Sequence, residues 1–296
     1  MNTLGLPAIL TGFVLVTLVY GALITLARVQ GSERAPVTGK LLRPPGEHLR
    51  VRLNLLEDQS RWLLLAASAV PLLVLLLGGL ALSGRPPEQV GLVIPIVTGA
   101  GFLLTAGAGA YLLHRTLAER GSRSRALQGH RIVNDSLAPL VLAGFKIFHD
   151  VPAEGGDAEN NLHHVVVGRS GIFAIEARTP ASQPVIPGRK PQEIVFDGDQ
   201  LIYPWGQDAV GLVPARRKAE WLSEWIYQLT GERIGVAAVL TFPGWWVTST
   251  ASRDIRVCNP NQLAALMQQA PDSNLGETHR ELIIRNLETR CRDVDF

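Results

Sequence analysis

The chain is poor in cysteine. Only two occur in 296 residues. Cys258 and Cys291 are far apart and have no metal-ligand spacing, which excludes a zinc ribbon or finger and leaves two ordinary reduced thiols. An excess of charge of either sign is also missing: 28 Lys and Arg stand against 26 Asp and Glu, a net of +2. From Arg115 onward the balance is 20 against 21, a net of −1. An average basic surface is therefore excluded as a pointer to nucleic acid, although a local basic face is not. The sequence has no phosphate-binding glycine loop and no serine or cysteine hydrolase signature. It has no internal repeat.

Apolar residues are abundant, at 47%, and unevenly spread. Three uncharged runs fill the first 115 residues: Leu4–Ala27, Trp62–Ser83 and Val90–Leu113. Each has about the 20 residues a helix needs to cross a hydrocarbon core. A span must satisfy its own backbone hydrogen bonds, so helix is expected despite Pro71 and Pro95. The first run has no basic n-region and is too long for a cleaved signal, which predicts a retained anchor.

The loops set an orientation. Arg28, Arg34, Lys40, Arg43, Arg50, Arg52 and Arg61 precede the second run, Arg85 alone lies between the second and third, and Arg115, Arg120, Arg123, Arg125 and Arg131 follow the third. The positive-inside rule then puts the first loop and the C-terminal region in the cytoplasm and the N-terminus outside. The expected organisation is a membrane region over 1–115 (spans at about 4–27, 62–83 and 90–113), a juxtamembrane linker over 116–123, and a cytoplasmic domain over 124–296. The expected location is the cell (inner) membrane, as a multi-pass protein in contact with the lipid bilayer.

The cytoplasmic part reads as α/β. Ser124–Ala143 has helical periodicity, with Pro139 expected to kink it and Gly144 to stop it. Phe145–Val151 alternates as a strand. Asn161–Gly168 and Gly171–Ala177 are two apolar strands joined by a tight Arg169-Ser170-Gly171 turn. Glu193–Tyr203 reads as a second hairpin turned at Asp197-Gly198. Gln207–Leu229 is the longest helix candidate of this part. Strands over Gly235–Phe242, Trp245–Ser249 and Ile255–Cys258, and helices over Asn261–Gln269 and Glu277–Arg292, complete it. This order predicts a mixed sheet flanked by helices. On the long helix, Arg216-Arg217-Lys218 reads as a solvated face, with Trp221 and Trp225 turned inward.

The first hairpin carries polar groups that a buried sheet does not take without a reason, His163 and Glu176. It resembles the nuclease-related (NERD) domain, a branch of the PD-(D/E)xK nuclease superfamily. The resemblance covers roughly Ser124 to Met267. Its other parts are the helix start Gly129-His130-Arg131-Ile132-Val133, the strand end His149-Asp150-Val151, and the step Pro204-Trp205-Gly206-Gln207. It implies a restriction-endonuclease-like mixed sheet behind three N-terminal transmembrane helices. It also implies cleavage of DNA or RNA by carboxylates converging on a divalent metal such as Mg or Mn, which lowers the pKa of bound water.

Several positions depart from the family pattern. The helix glutamate is His130, the hairpin aspartate is His163, and the lysine two residues after Glu176 is Arg178. Glu176 and Gln207 match. Glu176, Arg178 and Gln207 are the implied catalytic residues, with Arg178 also contacting nucleic acid. Losing an aspartate and a lysine weakens a Mg²⁺ site, so the resemblance implies a degenerate centre with catalysis impaired. His130, His163 and Glu176 together could instead form a two-histidine, one-carboxylate set suited to a transition metal; the competing reading is a decayed site with no metal. His164 should face away from His163. Asp157 and Glu159 are candidate replacements for the lost carboxylate. The functional expectation is a membrane-anchored nuclease-related protein; the alternative is an inactive membrane-tethered module that recruits a protein partner.

Overall fold

The computed structural model describes residue 21 and residues 39–83, 85–86, 91–153, 158–250, 254–271, 273 and 275–295. The chain divides into two units, one of residues 1–36 and 52–121 and one of residues 37–51 and 122–296.

In the first unit, the described residues contain two helices, not three, that are long and apolar enough to cross a membrane: α1, Glu47–Leu82, and α2, Val93–Leu142. The first apolar run, residues 4–27, lies outside the described residues apart from Gly21. Glycine sets the approach of α1 and α2 here. A Cβ on Gly109 would come within 2.8 Å of Ala67 Cβ, one on Gly101 within 3.2 Å of Val74, and one on Gly78 within 2.2 Å of Thr98. Small residues at a helix–helix contact let the backbones close up where no hydrophobic force drives association. Large apolar side chains point outward, with Leu103 70% and Leu104 74% exposed. Residues 116–123 lie inside α2.

The second unit is mixed α/β. Its strands are β1 Lys40–Leu42, β2 Lys146–Val151, β3 Leu162–Gly168, β4 Gly171–Ala177, β5 Glu193–Phe196, β6 Leu201–Tyr203, β7 Gly206–Asp208, β8 Val236–Thr241, β9 Trp246–Ser249, β10 Ile255–Cys258 and β11 Arg292–Asp295. Its remaining helices are α3 Leu212–Thr230, α4 Pro260–Gln268 and α5 Glu277–Cys291. The main sheet has the order β10-β8-β4-β3-β2. β2, β3 and β4 are antiparallel, while β4, β8 and β10 are parallel. The mixed sheet expected from the element order is therefore present.

Both faces of this sheet are covered. On one, Phe148, Val165, Ile172, Ala174 and Leu240 pack with Ala215, Leu222 and Ile226 of α3. On the other, Val166, Phe173, Ile175 and Val239 pack with Val133 and Leu137 of α2 and Leu263 of α4. Coverage on two sides explains why β3 and β4 read as near-continuous apolar runs. A second sheet, β7-β6-β5-β9, holds the predicted hairpin turned at Asp197-Gly198.

Two elements differ from expectation. The long helix starts at Leu212 rather than Gln207, because residues 206–208 pair with β6 and the Asp208 carboxylate accepts from the Val210 N–H at 3.1 Å. Such a local side-chain turn competes with helix. Secondly, β1 pairs with β11, so residues 40–42 and 292–295 form a ribbon that sequence pattern did not reveal. Arg43 reinforces it with a two-pronged bond to Asp293, at 2.7 and 2.6 Å.

Candidate functional site

The site lies in the second unit, at one end of β2, β3 and β4. Register places its three central residues. His149 pairs with His164 and Val151 with Leu162, and Asp150 lies between these two pairs. His164 pairs with Ile175, so His163 in turn stands opposite Glu176. Side chains opposite each other in antiparallel strands share a face. His163 and Glu176 therefore share a face, and Glu176 meets Lys218 of α3; Asp150, at the φ +50° bend in β2, completes a row across the ends of the three strands.

Glu176 is a buried charge. It is 9% exposed and sits among Ala174, Leu162 and Ala215. Lys218, one turn after Pro214 on α3, donates to its Oε2 at 2.8 Å and is itself 8% exposed. Burial pushes the Glu176 carboxyl above the usual carboxylate range, while Lys218 pulls it down. This corrects the reading of Arg216-Arg217-Lys218 as a solvated face: Arg217 is exposed, but Lys218 points inward. A cation three and four residues from buried Ala215 and Leu222 was the available signal, since 3.6-residue periodicity puts all three on one stripe.

His163 bridges the row. Its Nδ1 accepts from the Ala177 N–H at 3.1 Å. Burial and the neighbouring cationic and imidazole groups hold its pKa well below the usual histidine value, so the ring is neutral. A neutral ring that accepts at Nδ1 carries its proton on Nε2. That nitrogen faces Glu176 Oε1 at 3.4 Å.

Asp150 is fully buried and has φ +50°, a left-handed conformation that Asp tolerates better than most residues. Its carboxylate is held by the first turn of α1. The His48 backbone N–H donates to Oδ2 at 2.7 Å, and His48 Nδ1 lies 2.6 Å from Oδ1. Asn161 donates to Oδ1 at 3.2 Å. Burial opposes the charge, but the His48 and Asn161 bonds outweigh it and lower the pKa. An aspartate here caps the otherwise unpaired N–H groups of a helix start.

Imidazoles fill the space around the row. His130 lies 4.4 Å from His163, 5.2 Å from His164 and 5.9 Å from His48, centroid to centroid. His149 Nδ1 and His164 Nδ1 are 2.8 Å apart, one donating to the other. His164 belongs to the opposite strand face from His163, as expected from alternation. Burial lowers His130 and His149 to about 4 and His164 well below the ordinary value. Among the described residues, His130 Nδ1 and His164 Nε2 are buried with no hydrogen-bond partner. Close packing seats His130: a Cβ on the preceding Gly129 would meet Thr179 Cγ2 at 2.4 Å. Just before α1, Gly46, at φ +68°, lies against the His130 ring, where a Cβ would meet its Cγ at 3.4 Å.

Of the residues singled out in the sequence, the fold brings together His130, His163 and Glu176. Arg178 is nearby: its guanidinium packs against Gly211, and its charge acts on Glu176. Gln207 is different. It is exposed on β7 of the second sheet, opposite Ile202, and shares no hydrogen bond with the row among the described residues. Asp157 lies outside the described residues; Glu159 is exposed and bonds Arg123 at 3.1 Å. Sequence reasoning missed His48, Asp150 as the carboxylate of the row, and Lys218.

The donor set does not fit a metal ion. No group of three His, Cys, Asp or Glu among the described residues is placed to hold one. Both Glu176 oxygens are engaged, by Lys218 and His163, and both Asp150 oxygens by His48 and Asn161. The arrangement can hold charge and orient protons, but each carboxylate already has its donors.

The chain matches no curated protein and no solved structure. The family model of the nuclease-related domain spans every residue of the row, and Lys218, but not His48: a NERD nuclease-related domain lies at residues 125–243.

Proposed function

We propose that this chain is a membrane-anchored, nuclease-related module that binds nucleic acid at the cytoplasmic face and has lost the family's metal-dependent cleavage. The observation that carries this reading is the Lys218–Glu176 bond. A nuclease carboxylate must keep an oxygen free for a metal, and here an ammonium at 2.8 Å takes that place. The family lysine position holds Arg178, whose delocalised charge suits phosphate contact better than activation of water. The fold, a five-stranded mixed sheet with helices on both faces, is consistent with a PD-(D/E)xK, restriction-endonuclease-like origin. Fold survives loss of chemistry, so the argument rests on the site.

Anchoring rests on the apolar surface of α1 and α2, which water would not favour, and on the basic residues that flank the apolar runs. The positive-inside rule places the nuclease-related domain in the cytoplasm.

The test uses the full chain in detergent micelles. Fluorescently labelled single- and double-stranded DNA and RNA are incubated with it, with Mg²⁺, Mn²⁺ or Zn²⁺ and without metal, beside Glu176→Ala. The expected result is binding without cleavage in every condition. Metal-dependent cleavage that disappears in Glu176→Ala overturns the loss of catalysis. Absence of any binding overturns the nucleic-acid reading and leaves the recruitment of a protein partner.

A further inference from the structure

Beside the row, α3 borders a cavity of about 210 Å³ lined by Ala153, Asn160, Leu162, Arg217, Lys218 and Trp221. Its floor is apolar, from buried Leu162. Its walls are an indole, an exposed guanidinium, an amide and the flank of Lys218. A further cation lies over the indole: the Arg290 guanidinium is 5.3 Å from the Trp221 ring centre and 5.8 Å from that of Trp225, and its Nε donates to the Pro152 carbonyl at 2.5 Å. Trp221 and Trp225 stack at 6.4 Å with planes 13° apart, which fixes the Trp221 ring. Among the described residues no carboxylate lines the cavity; Glu176, argued above, is already paired with Lys218.

A small cavity with one rigid aromatic wall, surrounded by positive charge, fits a ligand that is flat at one end and anionic at the other. A nucleotide has this form. Its base can stack on an indole whatever its identity, its phosphate can pair with a guanidinium fork, and Asn160 has the donors and acceptor that base or sugar edges require. A duplex keeps its bases stacked inside, so only an unpaired nucleotide can enter.

We propose that this cavity binds one unpaired nucleotide unit, the base on Trp221 and the phosphate on Arg217. The inference deepens the nucleic-acid reading above by naming its substrate class as single-stranded; the same chemistry would also accept a free nucleotide.

The experiment is metal-free binding to the full chain in detergent micelles. The probes are a labelled short single strand, the same sequence as a duplex, and adenosine monophosphate as competitor. The variants are Trp221→Leu and Arg217→Glu, with Arg256→Glu, at an exposed position of β10, as the control. Arg217 is exposed, so its reversal tests the cavity even if Trp221→Leu perturbs packing. The expected result is a preference for the single strand, competition by the mononucleotide, and a loss on the order of tenfold in each cavity variant but not in the control. Arg217→Glu should also lower the salt dependence. Strand binding that is unchanged in both variants overturns the cavity and leaves the nucleic-acid reading standing. Variant-sensitive binding of the mononucleotide without strand binding supports the cavity and overturns that reading. Binding of none of the three probes overturns both.

Discussion

Lys218 and Glu176 are 42 residues apart in sequence and 2.8 Å apart in the fold, both within a tenth of complete burial. A buried ion pair contributes little beyond its own desolvation, but removing one member strands the other. Lys218→Met should therefore cost about 3 kcal/mol, read as a lowered Tm by tryptophan fluorescence. The double variant Lys218→Met/Glu176→Leu should lie within about 1 kcal/mol of the parent, because both charges leave together. A single variant as stable as the parent would contradict a buried pair.

Asp150 links the row to the start of α1 through His48. Asparagine tolerates the same positive φ, so Asp150→Asn isolates the charge from the backbone. It should cost about 2 kcal/mol through weakened charge-assisted bonds to the His48 N–H and ring. Asp150→Ala should cost more, since it adds backbone strain and leaves Asn161 and His48 without an acceptor. Equal costs would locate the contribution in the charge of the carboxylate and not in the backbone conformation.

Sequence made the first hairpin, its turn and the polar pair His163 and Glu176 legible, because alternation and tight turns are local. What escaped depends on distant chain segments. His48 sits in a Pro- and Gly-rich stretch that reads as irregular loop, and only the β1–β11 pairing and the Asp150 carboxylate give it a place. Asp150 alternates with His149, and sequence alone could not decide which of the two meets the start of α1. Lys218 is masked by its neighbours Arg216 and Arg217, which make a buried lysine look like part of a solvated cluster.

Acid should loosen the site. Burial depresses His130 and His149 to about 4, below the ordinary 6.5 of an unfolded chain. Between those values the unfolded state binds more protons than the folded one, so stability is full above about 6.5 and falls as pH drops toward 4. Each such histidine contributes a slope of about 1.4 kcal/mol per pH unit at most. His130→Leu removes one of them, along with an unpartnered buried Nδ1. Chemical denaturation at pH 7 and 4.5 should show a smaller acid loss in the variant than in the parent. An identical loss would mean that His130 titrates normally in the fold.

The family match begins at residue 125, yet the folded unit also takes in residues 37–51. A piece cut at residue 122 would lose β1 and so expose the edge of β11. It would remove Leu49, which is 6% exposed, and leave Asp150 with a buried charge and no partner from His48 or Arg43. An unpaired buried carboxylate raises its pKa or unfolds its surroundings. The piece 122–296 should therefore aggregate or melt well below a version with residues 37–51 joined to its N-terminus through a flexible linker. Such a linker costs little, because closure entropy grows only slowly with length. Differential scanning fluorimetry of the two pieces decides the matter. Equal melting would show that the first turn of α1 rests on the domain without supporting it.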